Sequence, residues 1–186
     1  MSTKTIRCVF LSSEEASQAK LYFLLTLAGQ PLPEDYEPTI YENFKRIYKY
    51  KGQDIQFHLW DTSGQDENDR LRPMAYAKCD VAVMVFLLKN KKSLTDLEKY
   101  VKEVKEYADN STRVLIGLQL EKKDEDEEGN PEPVSDSEME EWAKQNGITA
   151  TRKYTIKNGD NLDSFYEFFA ENYIATHQKD KGCNIA

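Results

Sequence analysis

Glycine is absent from the first 28 residues of the chain, although the full 186 residues contain eight. Apolar runs of the roughly 18 residues that a membrane span needs are absent as well. No apolar signal core follows Met1, so we expect residence in the cytoplasm. Cys8, Cys79 and Cys183 follow no spacing typical of a zinc site or a disulfide framework, and we expect free thiols in a reducing compartment.

Acidic residues outnumber basic ones and give a net charge of −8, but the excess is local. The segment Glu121–Glu141 holds eleven acidic and two basic residues, and the remainder of the chain is close to neutral. No basic face is therefore expected, which excludes nucleic acid as a partner. Because Gly129, Pro131 and Pro133 interrupt the acidic segment, it is either a solvated loop or a partner-binding surface.

Short apolar runs rich in branched and aromatic residues alternate with segments of helical periodicity. A short connection with a glycine, Lys51–Gln53, predicts a hairpin between two of these runs. Helices are predicted from Ser93, as N-cap, to Ala108, over 135–145 and after residue 160. The predicted fold class is α/β, a three-layer sandwich on a six-stranded, mostly parallel sheet with one antiparallel edge strand. The predicted strands are Ile6–Leu11, Phe44–Tyr50, Ile55–Trp60, Val81–Leu88, Val114–Leu120 and Ala150–Ile156.

The most informative segment is Leu59–Gln65, which reads Leu-Trp-Asp-Thr-Ser-Gly-Gln. A buried strand ends in Asp61, and Gly64 then allows the backbone to approach a terminal phosphate group. Gln65 follows as a side chain that is able to orient a water molecule. These residues are one half of a GTP site. The other half, a Gly-x-x-x-x-Gly-Lys-Ser/Thr loop after the first strand, is missing.

Together with two further blocks, this segment resembles the Rho-type small GTPases of the Ras superfamily over nearly the whole chain. Pro38–Phe44 is similar to their switch I segment, and Leu59–Gln65 continues into Asp69–Tyr76, which is similar to switch II. The resemblance implies a small G-domain of the P-loop NTPase kind over residues 1–176. A flexible C-terminal tail, 177–186, would follow it.

The resemblance also implies roles for the matching residues. Thr39 and Asp61 would be the Mg²⁺ positions, Gly64 would donate its N–H to the γ-phosphate, and the catalytic residue would be Gln65. Effector and regulator proteins would bind a switch surface made of Tyr36, Pro38, Thr39, Ile40, Tyr41, Glu42, Asn43, Phe44, Arg70, Leu71, Arg72 and Tyr76.

The phosphate loop departs from the family's pattern. Lys20 keeps the position of the nucleotide-binding lysine, but the glycines have become Glu14, Ala16 and Ala19. Leu21 stands where the family has a magnesium-binding hydroxyl. Glycine is needed in such a loop because several amides must point inward around an anion, with some residues at positive φ. A glutamate at about 4 Å from a phosphate charge would be repelled by ~4 kcal/mol.

The guanine-binding motifs depart as well. Gly117–Glu121 stands where the family has Asn-Lys-x-Asp, and neither Leu118 nor Gln119 offers the family's contacts to the base. Lys157 alone matches the family's Ser-Ala-Lys loop, so it joins Lys20 as a vestigial nucleotide-binding residue. The loss of several contacts worth ~1–3 kcal/mol each lowers the predicted affinity by roughly four to seven orders of magnitude.

Ser12, Glu14 and Glu15 indicate what replaces the phosphate. Ser12 and Glu15 have the spacing of a capping box, in which each side chain binds the backbone N–H of the other residue. Carboxylates also suit the positive end of a helix dipole. We therefore predict that the first helix starts early and satisfies its own amides, with Lys20 paired to Glu15 or Asp61. The alternative is a turn of solvated polar residues.

The C-terminal sequence Cys183-Asn-Ile-Ala has the form of a C-a-a-X signal of the farnesyl class, although Asn184 is not aliphatic. A single lipid at Cys183 predicts weak, reversible attachment to the cytoplasmic face of a membrane.

These observations predict a Rho-like signalling protein with weak or no GTP binding and hydrolysis. It would act as a membrane-tethered module for effectors or regulators, without a tightly bound cofactor. One alternative is a functional switch that binds GTP or GDP with Mg²⁺ and hydrolyses GTP slowly. Another is a different ligand, such as an adenine nucleotide, in the altered base pocket. Cytoskeletal control is implied by the resemblance alone.

Overall fold

A single mixed sheet organises the protein in a computed structural model that describes residues 4–38, 41–120, 132–157 and 162–179. Within these residues, six strands lie in the order β2-β3-β1-β4-β5-β6, where β2 and β3 are antiparallel and the other neighbours are parallel. The predicted fold class is thus confirmed. The strands are β1 (Lys4–Leu11), β2 (Tyr41–Tyr50), β3 (Gln53–Thr62), β4 (Val81–Leu87), β5 (Thr112–Leu120) and β6 (Ala150–Ile156).

Helices cover both faces of the sheet. Their bounds are α1 (Ser17–Ala28), α2 (Lys91–Thr95), α3 (Glu98–Tyr107), α4 (Asp136–Asn146) and α5 (Asp163–Lys179). Short 3-10 turns add Glu14–Ala16, Asp66–Asn68 and Arg72–Tyr76. The predicted boundary at residue 176 lies inside α5.

The prediction of Ser93 as an N-cap is wrong. Asn90 caps α2 instead, because its side chain accepts a hydrogen bond from the backbone N–H of Ser93. Ser93 lies inside α2, and its hydroxyl group binds the backbone of Leu87 and Asn90. The single predicted helix is therefore two helices, α2 and α3.

Two apolar cores lie on opposite faces of the sheet. One packs β1 and β3 against α1 and α5, with Phe10, Phe23 and Phe165 in mutual ring contact. The other packs β4 and β5 against α3 and α4, around Tyr100 and Trp142. The carboxyl ends of β1 and β3 meet at one edge of the sheet, as in other parallel α/β sheets that bind ligands there.

Among the residues that the structure describes, no helix is both long and apolar enough to cross a bilayer. Cys183 and the tail from residue 180 onward lie outside the described residues, so predicted lipidation and membrane attachment stay predictions.

Candidate functional site

The loop after β1 is helical almost from its start. The 3-10 turn Glu14–Ala16 leads directly into α1. The backbone N–H of Ala16 donates to the Ser13 carbonyl at 3.2 Å, and that of Ser17 donates to the Glu14 carbonyl. The Ser17 hydroxyl also donates to the Ser13 carbonyl, at 3.1 Å. The chain thus satisfies these amides internally, as the predicted early helix start requires.

The capping box predicted between Ser12 and Glu15 does not form. The Ser12 hydroxyl is buried without a hydrogen-bond partner, and no side chain caps the turn. The Glu15 carboxylate instead lies 2.5 Å from Lys92 Nζ, which also contacts Asp96 Oδ2 at 2.5 Å. Burial is the largest single influence and acts to raise the pKa of Glu15. The hydrogen bonds from Lys92, the backbone and Ser13, together with the charge of Lys92, outweigh it and hold the pKa below its ordinary value. A charge-assisted contact with α2 has replaced the weaker contact with a serine amide.

Lys20 lies in the position predicted for a phosphate-binding lysine, but its ammonium group is bound by the protein itself. Its Nζ atom is 2.8 Å from Asp61 Oδ1 and donates a hydrogen bond to the Thr62 carbonyl. The side chains of Lys20 and Asp61 are only 2% and 1% exposed. Asp61 Oδ1 has no contact of hydrogen-bond geometry, so its interaction with Lys20 is coulombic. Of the two predicted partners, Asp61 pairs with Lys20, whereas Glu15 pairs with Lys92.

Gly64 packs directly against the loop after β1. A Cβ atom at Gly64 would lie 2.7 Å from the Ser12 carbonyl oxygen and 2.7 Å from Ser17 Oγ. The Gly64 carbonyl accepts a hydrogen bond from the Tyr100 hydroxyl at 3.3 Å. Gln65 follows at the surface, half-buried, with its backbone N–H bound to Ser63 Oγ. The segment that would face a γ-phosphate therefore touches protein atoms.

The predicted magnesium position offers few oxygen ligands among the described residues. Leu21 is buried in the core beside α5, and Thr39 lies outside the described residues. Within the described part of the chain, no cluster of three or more His, Cys, Asp or Glu side chains is placed to hold a metal ion. Tyr36 lies beside the same loop. Burial, followed by the charges of Asp61 and Glu14, raises the pKa of its phenol, and a hydrogen bond with Ser17 opposes the rise.

Leu118 and Gly117, at the family's base-pocket positions, are packed inside the protein. The Leu118 side chain is fully buried in the core with α1 and α5. Gly117 is closely packed, since a Cβ there would lie 2.5 Å from Leu88 Cδ2. Gln119 is half-buried, Lys157 is exposed at the end of β6, and Glu121 lies outside the described residues.

Part of the predicted switch surface is buried, which corrects the prediction. Arg72 and Tyr76 are both 2% exposed, and Phe44 is 6% exposed in the core. Arg72 contacts Glu103 Oε1 at 2.7 Å and Asp69 Oδ1 at 2.6 Å, and its guanidinium lies 4.6 Å from the Tyr100 ring centre. The Tyr76 hydroxyl donates to Glu103 Oε2 at 2.7 Å. Arg72 and Tyr76 therefore attach switch II to α3 through Glu103.

The remaining predicted switch residues are accessible where the structure describes them. Leu71 is 48% exposed, and Met74, which lies in the same segment, is 70% exposed. Ile40 lies outside the described residues, and Tyr41 begins β2. The other residues with exposed or half-exposed side chains are Tyr36, Pro38, Glu42, Asn43 and Arg70.

Comparison with known proteins decides the family. The sequence profile of the Ras family matches residues 15–175. The chain belongs to the Ras family of small GTPases. It is also similar to the Ras-like GTP-binding protein RHO1 of Entamoeba histolytica, with 39% identity over 107 residues. That match covers 57% of this chain and 50% of the relative, so it spans half of the relative's length. The similarity supports a Rho-like position within the Ras family.

Ras-family motifs indicated most of the site but missed two residues that shape it. Lys92 binds Glu15 across 77 residues of sequence, and no local pattern signals such a contact. Glu103 binds Arg72, and its position one helical turn after Tyr100 could have indicated that both residues face switch II.

Proposed function

We propose that this Rho-like member of the Ras family binds and hydrolyses GTP weakly or not at all. Its switch surface would instead be presented in one conformation to effector or regulator proteins. The observation that carries the proposal is the buried contact of Lys20 with Asp61 and the Thr62 carbonyl. A lysine that binds phosphate must exchange these partners for the ligand, and one charge of the pair would then lose its partner in a site with little water.

The state of the loop supports the same proposal. Its amides at Ala16 and Ser17 already have backbone acceptors, so they are not available as anion donors. Glu14 is exposed at the rim of the loop and adds a negative charge. Gly64 lies against the loop with no space for a methyl group at its Cα.

Switch II supports the idea of a single presented conformation. In switching proteins this segment becomes ordered by contacts to the γ-phosphate. Here Arg72, Asp69 and Glu103 order it through ion pairs that need no nucleotide. Lys99 adds two further contacts, to Asp66 and Asp69, at 2.6 and 2.8 Å.

Mg²⁺, which Ras-family proteins hold together with the nucleotide, does not fit the described residues. Leu21 offers no oxygen ligand, and Asp61 is neutralised by Lys20. We therefore assign no step to a metal ion or to a nucleotide in this protein.

The second candidate function is a GTP-operated switch with slow hydrolysis. It is favoured by the presence of Lys20, Asp61, Gly64 and Gln65 at their family positions and by the name of the similar RHO1 protein, a GTP-binding protein. In that case nucleotide would have to displace Lys20 from Asp61 and separate Gly64 from the loop.

Membrane attachment belongs to this proposal as well. A prenyl group on Cys183 would tether the switch surface to the cytoplasmic face of a membrane reversibly. Mass spectrometry of the natural protein tests it, and an unmodified C-terminal peptide ending in Ala186 would refute it.

The decisive experiment measures bound nucleotide. Freshly purified full-length protein is denatured, and the released small molecules are separated by chromatography with absorbance detection. We expect far less than one guanine nucleotide per chain, and no saturable thermal stabilisation by micromolar GTP or GDP with Mg²⁺. Stoichiometric guanine nucleotide, or a large shift at micromolar concentration, would refute the proposal and support the switch.

A further inference from the structure

Among the described residues, α1 and α5 pack on one face of the β2–β3 hairpin, and no α-helix packs to a comparable extent on the other face. Phe44 of β2 and Phe57 of β3 point into the core with α1 and α5, so the alternate side chains of these strands face the other way. The neighbouring strand β1 extends the same surface. We call this surface the hairpin face, and its members are Thr5, Arg7, Asn43, Lys45, Ile47, Lys49, Asp54, Gln56, His58 and Trp60.

The hairpin face is basic in an acidic protein, which corrects the expectation that the chain has no basic face. It holds Lys45, Lys49 and Arg7 but a single carboxylate, Asp54, so its net charge is +2 with His58 neutral, whereas the chain carries −8. Asp54 lies 4.0 Å from Lys49 Nζ. Among the described residues, no carboxylate forms an ion pair with Lys45. The electrostatic potential over this face is therefore positive, although the whole protein is negative. A negatively charged partner gains binding free energy there.

The strand register aligns two of these basic side chains with His58. Lys45 is directly opposite His58, and His58 is directly opposite Arg7, so they form a row across β2, β3 and β1. Burial lowers the pKa of His58 first, and the charges of Lys45 and Arg7 lower it further, which indicates a positive potential at the centre of the row. The Arg7 guanidinium is held 3.9 Å above the Trp60 ring centre.

Apolar surface adjoins this row. Ile47 follows Lys45 on the same side of β2 and is 61% exposed. Arg7 Nη2 also donates to the Ala75 carbonyl at 3.4 Å, so the 3-10 turn Arg72–Tyr76 borders the hairpin face. Grouped exposed apolar side chains mark sites where proteins bind, and the adjoining positive charge favours an acidic partner.

We propose that the hairpin face is a docking surface for an acidic segment of a partner protein. Carboxylates of that segment lie over Lys45 and Arg7, and an apolar side chain of the segment packs on Ile47. Charge complementarity selects the partner, and the fixed Arg7 on Trp60 loses little side-chain entropy on binding. The proposal does not depend on whether nucleotide binds, so the two proposals fail separately.

The strand itself supplies a matched control for the test. Lys45 and Arg46 are adjacent, exposed and equally charged, but they face opposite sides of β2. Lys45→Glu and Arg46→Glu therefore change the net charge of the protein equally and differ only in the surface that they alter. Circular dichroism melting checks that both variants are folded.

The probe is a fluorescein-labelled, glutamate-rich peptide with a central leucine, and its binding to the full chain is followed by fluorescence anisotropy. We expect saturable binding to the unchanged protein, about tenfold weaker binding to Lys45→Glu, and binding to Arg46→Glu within about twofold of the unchanged protein. The same peptide with lysine in place of glutamate should not bind.

Three results would overturn the proposal. The first is an absence of saturable binding to the unchanged protein. The second is equal weakening by Lys45→Glu and Arg46→Glu, which would reduce the effect to net charge. The third is Lys45-dependent binding to phosphatidylserine vesicles without binding to the peptide, which would assign the hairpin face to a lipid surface.

Discussion

Replacing Lys20 by methionine should destabilise the nucleotide-free protein strongly. Methionine keeps the length of the side chain but removes the charge, and Asp61 then remains almost fully buried without its counter-ion. In a protein where the lysine served nucleotide alone, the same substitution would leave the stability of the empty protein nearly unchanged. Stability without ligand therefore distinguishes a structural lysine from a ligand-binding one.

The magnitude follows from the burial of both groups. Removing one partner of a buried ion pair costs about 3–5 kcal/mol, because an uncompensated charge stays in the interior. In a domain of this size each kcal/mol lowers the melting temperature by roughly 2–4 °C, so we expect a decrease of roughly 6–20 °C. Asp61→Asn should cost a similar amount, because it leaves the Lys20 ammonium unpaired. The double variant buries neither charge and should cost less than the two single variants together.

The assay is urea unfolding of the four proteins in a double-mutant cycle, after chromatography has shown each sample to be free of nucleotide. Favourable coupling between Lys20 and Asp61 should reach about 2 kcal/mol or more. If both single variants lose less than about 1 kcal/mol and the losses add, Lys20 and Asp61 do not stabilise one another and the reasoning is wrong.

Three further predictions concern other parts of the site. Arg72→Ala should cost about 3 kcal/mol in urea unfolding, because it removes a buried guanidinium and the ion pair of Glu103, although Asp69 keeps its contact with Lys99. Exposed Arg70→Ala should stay within about 0.5 kcal/mol of the unchanged protein. Equal effects of the two variants would contradict the burial of Arg72. Gly64→Ala should cost about 1–3 kcal/mol, because the new methyl group overlaps the Ser12 carbonyl; an unchanged unfolding midpoint would show that the loop yields freely. The pKa of His58 is lowered in the folded chain, so the unfolded chain binds its proton more readily, and stability is lost as pH falls below about 6.5 through the folded pKa. His58→Gln should remove that part of the loss in unfolding curves recorded along a pH series, and an identical pH dependence would refute the assignment.

The sequence was sufficient to predict a mostly parallel sheet with one antiparallel edge strand, and most of the core, because apolar periodicity reports burial directly. It misplaced strand ends where polar residues belong to the ladder. β2 begins at Tyr41 rather than Phe44, since exposed Glu42 and Asn43 still pair with β3. The sequence also contained no sign that the helix ends at Thr95 and a second one begins at Glu98, because the apolar spacing continues across this interruption.

Side-chain roles at the site were harder to predict, because a motif gives position and not exposure. Arg72 and Tyr76 lie within the switch II motif, but their burial depends on Glu103, which is distant in sequence. Glu15 was paired in the prediction with its near neighbour Ser12, and it binds Lys92 of a different helix instead. Contacts between charges that are far apart in sequence have no local signal.

The residues that break the phosphate loop also stabilise the structure that replaces it. Ala16 has φ −97° and Ala19 lies inside α1, and both are buried, so neither needs the positive φ that an anion-binding loop demands. In a helix interior, alanine is favoured over glycine by about 1 kcal/mol, whereas in a left-handed conformation it is disfavoured by about the same amount or more. Ala19 therefore favours α1, and neither alanine favours the left-handed conformation of an anion-binding loop. The helical loop satisfies its amides and places Lys20 beside Asp61. A nucleotide would have to overcome these local preferences in addition to the ion pair, so restoring one glycine alone should not restore a working site.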